Sequence, residues 1–173
     1  MNHDVHADDA AGPASAAEPT PAYHLAQVNI GRILGPIDGP VMAEFVAGLP
    51  EINALAENSP GFVWRLTDEG GADSTGLRPD DHDDLLLINC SVWTSVQALK
   101  DFTYRSEHLR VLSRRREWFE KLTDHYLALW WVPAGHRPTQ AEAMERVHLL
   151  RDQGPGPLAF NFRDPQPPPT AAP

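Results

Sequence analysis

Apolar and polar residues are spaced along the chain in a way that predicts a run of alternating strands and helices. Residues 23–33 (YHLAQVNIGRI) set Leu25 and Val28 among polar neighbours with β-branched content, which predicts a first strand. The GPIDGP stretch after it is a turn. Across residues 41–58, Met42, Phe45, Val46, Leu49, Ile52 and Leu55 recur at three- and four-residue spacings, one face of a helix. Pro50 interrupts that face and predicts a kink, or a break into two short helices, near Leu49. Residues 62–67 (FVWRLT) form a second strand, and residues 85–93 a third, the most apolar and therefore central. A capping box, Thr94-Ser95-Val96-Gln97, opens a second helix that runs to about Leu122 without Gly or Pro. Residues 126–132 (YLALWWV) are strand four. Pro138 starts a third helix over 139–152, Gly154-Pro155-Gly156-Pro157 stops it, and residues 158–163 close the domain in extended form.

The order β-α-β-β-α-β predicts an α+β, ferredoxin-like protomer with a four-stranded antiparallel sheet, two helices on one face and a C-terminal helical extension. Neighbouring Trp130 and Trp131 point to opposite faces of strand four, so both faces call for burial. A second copy of the sheet would cover the free face, and a homodimer is the expectation.

Composition narrows the class. At 173 residues the chain holds one domain. Acids outnumber bases 24 to 14, a net charge of −10, which argues against nucleic-acid binding. A hydrophobic fraction of 42% is enough for a core, and no apolar run is long enough to span a membrane. The single Cys90 excludes a disulfide framework and sits in the most apolar strand, where it reads as core. The expected setting is soluble and cytoplasmic. Residues 1–22, rich in Ala, Pro and Asp, and residues 164–173 (DPQPPPTAAP) are expected to be disordered tails around a domain over 23–163. The acidic stretch 67–84 reads as a solvated loop. Its Asp80-Asp81-His82-Asp83-Asp84 run lacks the ligand alternation and glycine of a calcium loop, so no metal site is expected.

Candidate chemistry gathers on the second helix. Beside a core stripe of Leu99, Phe102, Leu109, Leu112 and Phe119 runs a second line: Tyr104, His108, Val111, Arg115 and Trp118, spaced 4, 3, 4 and 3. His108 suits general acid–base work or axial ligation of a metal, Tyr104 can orient a polar ligand, and Arg115 can hold a carboxylate or an enolate-like oxygen. The plainer alternative is a hydrogen-bonded boundary of an ordinary helix, with the Arg114-Arg115-Arg116 run as a solvated face paired to Glu117, Glu120 or the acidic loop. Trp93, Trp118, Trp130 and His136 complete the expected pocket lining, His136 because it lies between a buried strand and a helix; capping that helix is its plainer role. No histidine pair has zinc-ligand spacing, and no nucleophile elbow, phosphate loop or dinucleotide fingerprint is present.

The strings NCSVW at 89–93, FTYRSEH at 102–108, RRREWF at 114–119, WWVPAGHRP at 130–138, Gly154-Pro155 and Ala159-Phe160 resemble the bacterial domain-of-unknown-function family DUF3291 over nearly all of 23–163. That family is similar to the dimeric α+β barrel superfamily, which includes antibiotic-biosynthesis-type monooxygenases and haem-degrading enzymes. The resemblance implies sheet-to-sheet dimers with a pocket between the sheet and the helices of each protomer. It implies two cofactor states, haem held by a helix-two histidine such as His108, or no cofactor at all. The function expected is a small-molecule enzyme, monooxygenase-like or isomerase-like, acting on an aromatic or polyketide-like compound. The alternative is a non-catalytic dimeric small-molecule-binding or accessory protein.

Overall fold

A computed structural model describes residues 23–80, 82–105 and 108–170, and the expected N-terminal tail lies outside them. The elements are β1 (Tyr23–Arg32), α1 (Ala43–Glu57), β2 (Phe62–Arg65), β3 (Leu86–Trp93), α2 (Val96–Arg105), α3 (His108–Ser113), β4 (Leu127–Pro133) and α4 (Gln140–Gln153). The four strands form one antiparallel sheet in the order β2-β3-β1-β4, the ferredoxin-like arrangement expected. β1 and β3 are its inner strands. In register, Val28 faces Cys90 and Gln27 faces Ser91, so alternate residues of both strands line the same two faces.

One face is dry. Ala26, Val28 and Ile30 of β1 join Ile88, Cys90 and Val92 of β3 and Trp130 of β4 in a buried cluster. The helix across it is α4, whose Ala143, Val147 and Leu150 are fully buried there. This face was the one expected to seat a second copy of the chain. Both faces do need cover, as the paired tryptophans suggest, but α4 supplies it within one protomer. The α4 N-terminus is capped by Thr139, whose Oγ1 accepts from the Glu142 amide at 3.1 Å.

The other face carries α1, α2 and α3. Two expectations change there. First, α1 is one helix straight through Pro50, whose ring is exposed, so the missing amide costs no buried hydrogen bond. Second, the second helix is shorter than expected: α2 is described over Val96–Arg105 and α3 over His108–Ser113, residues 106–107 between them lie outside the described residues, and a 3-10 turn over Arg115–Glu117 stands where the helix was expected to continue. Leu109, expected in the core, is 48% exposed. The cap of α2 is also one residue later than expected: the Ser95 hydroxyl accepts from the Ala98 amide at 3.1 Å, and Gln97 turns instead to Asp101.

The acidic loop is stitched by its own aspartates. Asp68 accepts from the amides of Gly70 and Gly76, and Asp73 from the amide and hydroxyl of Thr75. Of the Asp80–Asp84 run, Asp81 lies outside the described residues, while Asp83 pairs with Arg32. Beyond the domain, residues 164–170 have no regular secondary structure, yet the Gln166 carbonyl accepts from the Trp131 indole at 2.8 Å, so the start of the expected tail is tied down. No helix among the described residues is long and apolar enough to cross a membrane.

Candidate functional site

Between the sheet and α1 to α3 lies a cavity of about 420 Å³. Its existence follows from how α1 is held. A helix lying against a sheet buries a stripe of side chains, yet Ala56 alone of α1 is buried. Phe45, Leu49 and Ile52, the apolar face that the spacing picks out, point into the cavity and are half-buried. α1 is tethered at its start instead. The Glu44 carboxylate takes two hydrogen bonds from the Arg114 guanidinium, at 2.6 and 2.8 Å, and Phe45 packs on Phe119 and Trp118 with ring centroids 5.1 and 5.7 Å apart. Arg114 also binds Glu117 and lies 4.9 Å over the Trp118 ring. These bonds hold Glu44 and Glu117 below the usual carboxylate range and push Arg114 up. For Arg114 the plainer reading of the arginine run is therefore right.

Arg115 differs. Its guanidinium lies inside the cavity wall, 4.7 Å over the Tyr126 ring and 5.3 Å over Phe119, with Nη2 donating to the Ile30 carbonyl at 3.3 Å. No carboxylate among the described residues forms an ion pair with it, and burial lowers its pKa from the ordinary value. The other arginine at the cavity, Arg65, is held by Glu57 at 2.8 Å. Gly31 makes the Arg115 seat. A Cβ there would stand 2.6 Å from Phe119 Cδ1 and 3.3 Å from Arg115 Nη2, so any other residue would displace the ring.

His108 reaches the same cavity from α3. Its ring stacks on Phe102 with centroids 4.6 Å apart, and Phe102 stacks in turn on Trp93 at 5.1 Å. Burial lowers the His108 pKa below its ordinary 6.5, while a hydrogen bond with the Thr103 backbone pulls the other way. The imidazole is therefore neutral at pH 7. Tyr104, 52% exposed, stands at the rim against Phe162. Trp118, only 5% exposed, closes one end.

The residues that helical spacing groups do meet, although the helix stops at Ser113 and a 3-10 turn carries Arg115. Tyr104, His108, Arg115, Trp118 and Trp93 all line the cavity. Ser106 and Glu107 of the FTYRSEH string and the Val111 side chain lie outside what is described. Trp130 and His136 do not belong to the cavity. Trp130 pairs in register with Ala26, on the α4 face, where its indole donates to Glu142 at 3.1 Å. His136 Nε2 lies 2.7 Å from the other oxygen of the same carboxylate, in the turn before α4; the cap of that helix, its expected alternative role, belongs to Thr139.

Sequence reasoning missed the floor. Gln27 and Asn29 of β1 and Asn89 and Ser91 of β3 form a polar patch on the sheet beneath the helices. Gln27 Nε2 donates to Asn89 Oδ1 and to Ser91 Oγ, both at 2.9 Å; its Oε1 accepts from Asn29 at 3.3 Å. Gln27 is 4% exposed and Ser91 7%, the two buried polar residues of the described chain. The signal was available: in both inner strands these residues fall on alternate positions, the face that a helix-covered sheet would make apolar. A mostly apolar, aromatic cavity with a few converging polar groups and titratable groups displaced from their usual pKa is the general form of a small-molecule site.

The same geometry bears on haem. His108 would be its axial ligand, as the one imidazole lining the cavity among the described residues. A porphyrin, however, lays a broad apolar face on its surroundings, and a floor of three side-chain amides and a hydroxyl would be desolvated against it. The residues do not suit that group.

The family described as domain of unknown function DUF3291 matches residues 24–173. Among solved structures, a protein of unknown function from Nitrosomonas europaea, NE2512, is 9% identical, with a TM-score of 0.41, over 68% of this chain and 95% of that one. PA3566 from Pseudomonas aeruginosa is 16% identical with a TM-score of 0.41, over 70% and 100%. The monooxygenase of the ActVA-Orf6 gene of Streptomyces coelicolor, solved with the ligand nanaomycin D, is 13% identical with a TM-score of 0.40, over 68% and 93%. No curated protein matches the chain.

Proposed function

The chain belongs to the DUF3291 family, and we propose that this member is a small-molecule enzyme that moves a proton on an aromatic substrate bound under α1. The observation that carries the reading is Arg115, a half-buried guanidinium with no ion pair to a carboxylate of the described residues, in the cavity that also holds the His108 imidazole. A cation left uncompensated in a low-dielectric wall is costly unless something negative joins it. An anionic ligand group, or negative charge that develops during reaction, fills that role.

The roles then follow from chemistry. Trp93, Phe102 and Trp118 line the cavity with aromatic surface against which a flat substrate can pack. His108 takes a proton from an acidic carbon or a phenol and becomes the imidazolium. The charge left behind moves onto the substrate oxygen, which Arg115 stabilises. Tyr104 orients the substrate from the rim. Return of the proton to a different atom completes an isomerisation; addition of dioxygen to the carbanion, protonation of the peroxide by the His108 imidazolium and loss of water to leave a new carbonyl give the monooxygenase-like outcome, the substrate carbon supplying the electrons.

Proton exchange tests the reading directly. The α-hydrogens of 2-tetralone, an enolisable aromatic ketone, should exchange into D₂O faster with the protein than without it. His108→Ala should remove the acceleration. Equal exchange with both proteins would take His108 out of the mechanism. Binding of the ketone without any acceleration would favour the non-catalytic alternative.

A further inference from the structure

Ser91 lies on the cavity face of β3, and its Oγ receives two hydrogen bonds: from the Trp93 indole Nε1 at 2.8 Å and from Gln27 Nε2 at 2.9 Å. An indole nitrogen can only donate, so the direction of the first bond is set by chemistry. In the second, Gln27 Nε2 is the donor, the same nitrogen that donates to Asn89 Oδ1, while Gln27 Oε1 accepts from Asn29. A hydroxyl has two lone pairs and one proton. Both lone pairs of Ser91 are occupied, and its proton goes to no atom of the described residues. The cavity is the space left for it. Ser91 is thus a donor that cannot act as an acceptor, held in place by a buried indole and a buried amide.

Its position relative to Arg115 adds a length. Gln27 faces Ser91 in register, and four residues further along β1 Gly31 lies under Arg115. At about 3.3 Å per residue, the two poles stand about 13 Å apart along the strand before their side chains reach inward. We propose that Ser91 is a specificity residue that donates its proton to a neutral carbonyl oxygen of the ligand, whose opposite end carries the anionic group held by Arg115. The ligand class is a rigid aromatic acid, of two rings or more, with a carbonyl at its far end. This rests on the cavity reading above.

Two probes of matched shape separate the inference from that reading: 6-acetyl-2-naphthoate, and 6-isopropyl-2-naphthoate, which keeps the anion and loses the carbonyl. Calorimetric titration of the full chain should show the acetyl compound binding about tenfold tighter, the worth of one well-placed hydrogen bond. Ser91→Ala should abolish the preference for the acetyl over the isopropyl compound, and Ser91→Thr should restore it. A readout on the wild-type protein stands even if Ser91→Ala does not fold. Donation by Ser91 polarises its oxygen and strengthens the bond from Trp93, so the Trp93 indole N–H resonance should move downfield further with the acetyl than with the isopropyl compound. Equal affinities, or a preference that survives in Ser91→Ala, would overturn the role of Ser91 and leave the cavity reading intact. Failure of both naphthoates to bind would overturn both.

Discussion

The two faces of one sheet are built from alternate residues of the same strands, yet they are organised in opposite ways. On the α4 side, Val28, Cys90 and Trp130 meet a helix that buries Ala143, Val147 and Leu150 completely. The Cys90 thiol is pushed up by that burial and stays protonated. On the other side, Gln27, Asn29, Asn89 and Ser91 replace the apolar residues, and α1 stands off over a cavity. Stability is concentrated on the first face. The second gives up close packing and keeps polar groups, an imidazole and an uncompensated guanidinium. Period-two alternation lets a protein separate the two tasks within single strands.

Substitutions on the two faces should therefore have opposite signatures. The largest effect on stability belongs to the α4 face. Trp130→Ala should cost about 3–5 kcal/mol, read by urea denaturation, because it empties a fully packed site and leaves Glu142 without one of its donors. Ligand affinity of the folded fraction should be unchanged.

His108→Ala should do the reverse. Catalysed exchange should fall about 10²–10⁴-fold, the usual worth of a general base, with the melting temperature close to wild type. The pH dependence has a definite sign. The folded-state pKa of His108 lies below its ordinary 6.5, so the active neutral form persists on the acid side of that value, and the acid limb of the rate profile should fall below pH 6.5. The unfolded chain binds this proton first. The stability linked to His108 is thus complete above about pH 6.5 and is lost as the pH falls below it. His108→Ala should flatten that slope.

Arg115→Gln sharpens the contrast further. Affinity for 2-naphthoate should drop about 10–100-fold, the range for a charge-assisted hydrogen bond, while the melting temperature should stay close to wild type, since the desolvated cation leaves the wall together with its contacts to the Tyr126 and Phe119 rings. The smallest effect belongs to Arg114→Ala. The Arg114–Glu44 pair is solvent-exposed, so its loss should loosen α1 and speed ligand dissociation mainly at low salt. Dissociation rates across a salt series would show it.

The fold could be read from the sequence because each strand and helix carries its own local period. The site could be read only in part. Tyr104, His108, Arg115 and Trp118 are grouped by helical spacing, and they do share the cavity, although the helix ends at Ser113, before Arg115. No Gly or Pro marks that end, so spacing alone carries no sign of it. Trp130 was misplaced because the parity of β4 is fixed by pairing: Trp130 opposes Ala26 and Trp131 opposes Leu25, which sends them to different faces. The floor needs the same register information. Gln27 and Ser91 are far apart in the chain, and only the β1–β3 pairing shows that four polar residues form one patch. Likewise α4 reads as an added helix until its buried stripe is seen to take the place expected for a second copy.

The central claim, that one face binds and the other only holds, can be tested in a single spectrum. The 5 tryptophan indoles report on both sides of the sheet. Wild-type protein would be titrated with 6-acetyl-2-naphthoate while the indole N–H signals are followed by ¹H–¹⁵N correlation. The account predicts saturable shifts at Trp93 and Trp118, which line the cavity, and none at Trp130, which faces α4. A shift centred on Trp130, or no shift at any indole, would contradict it.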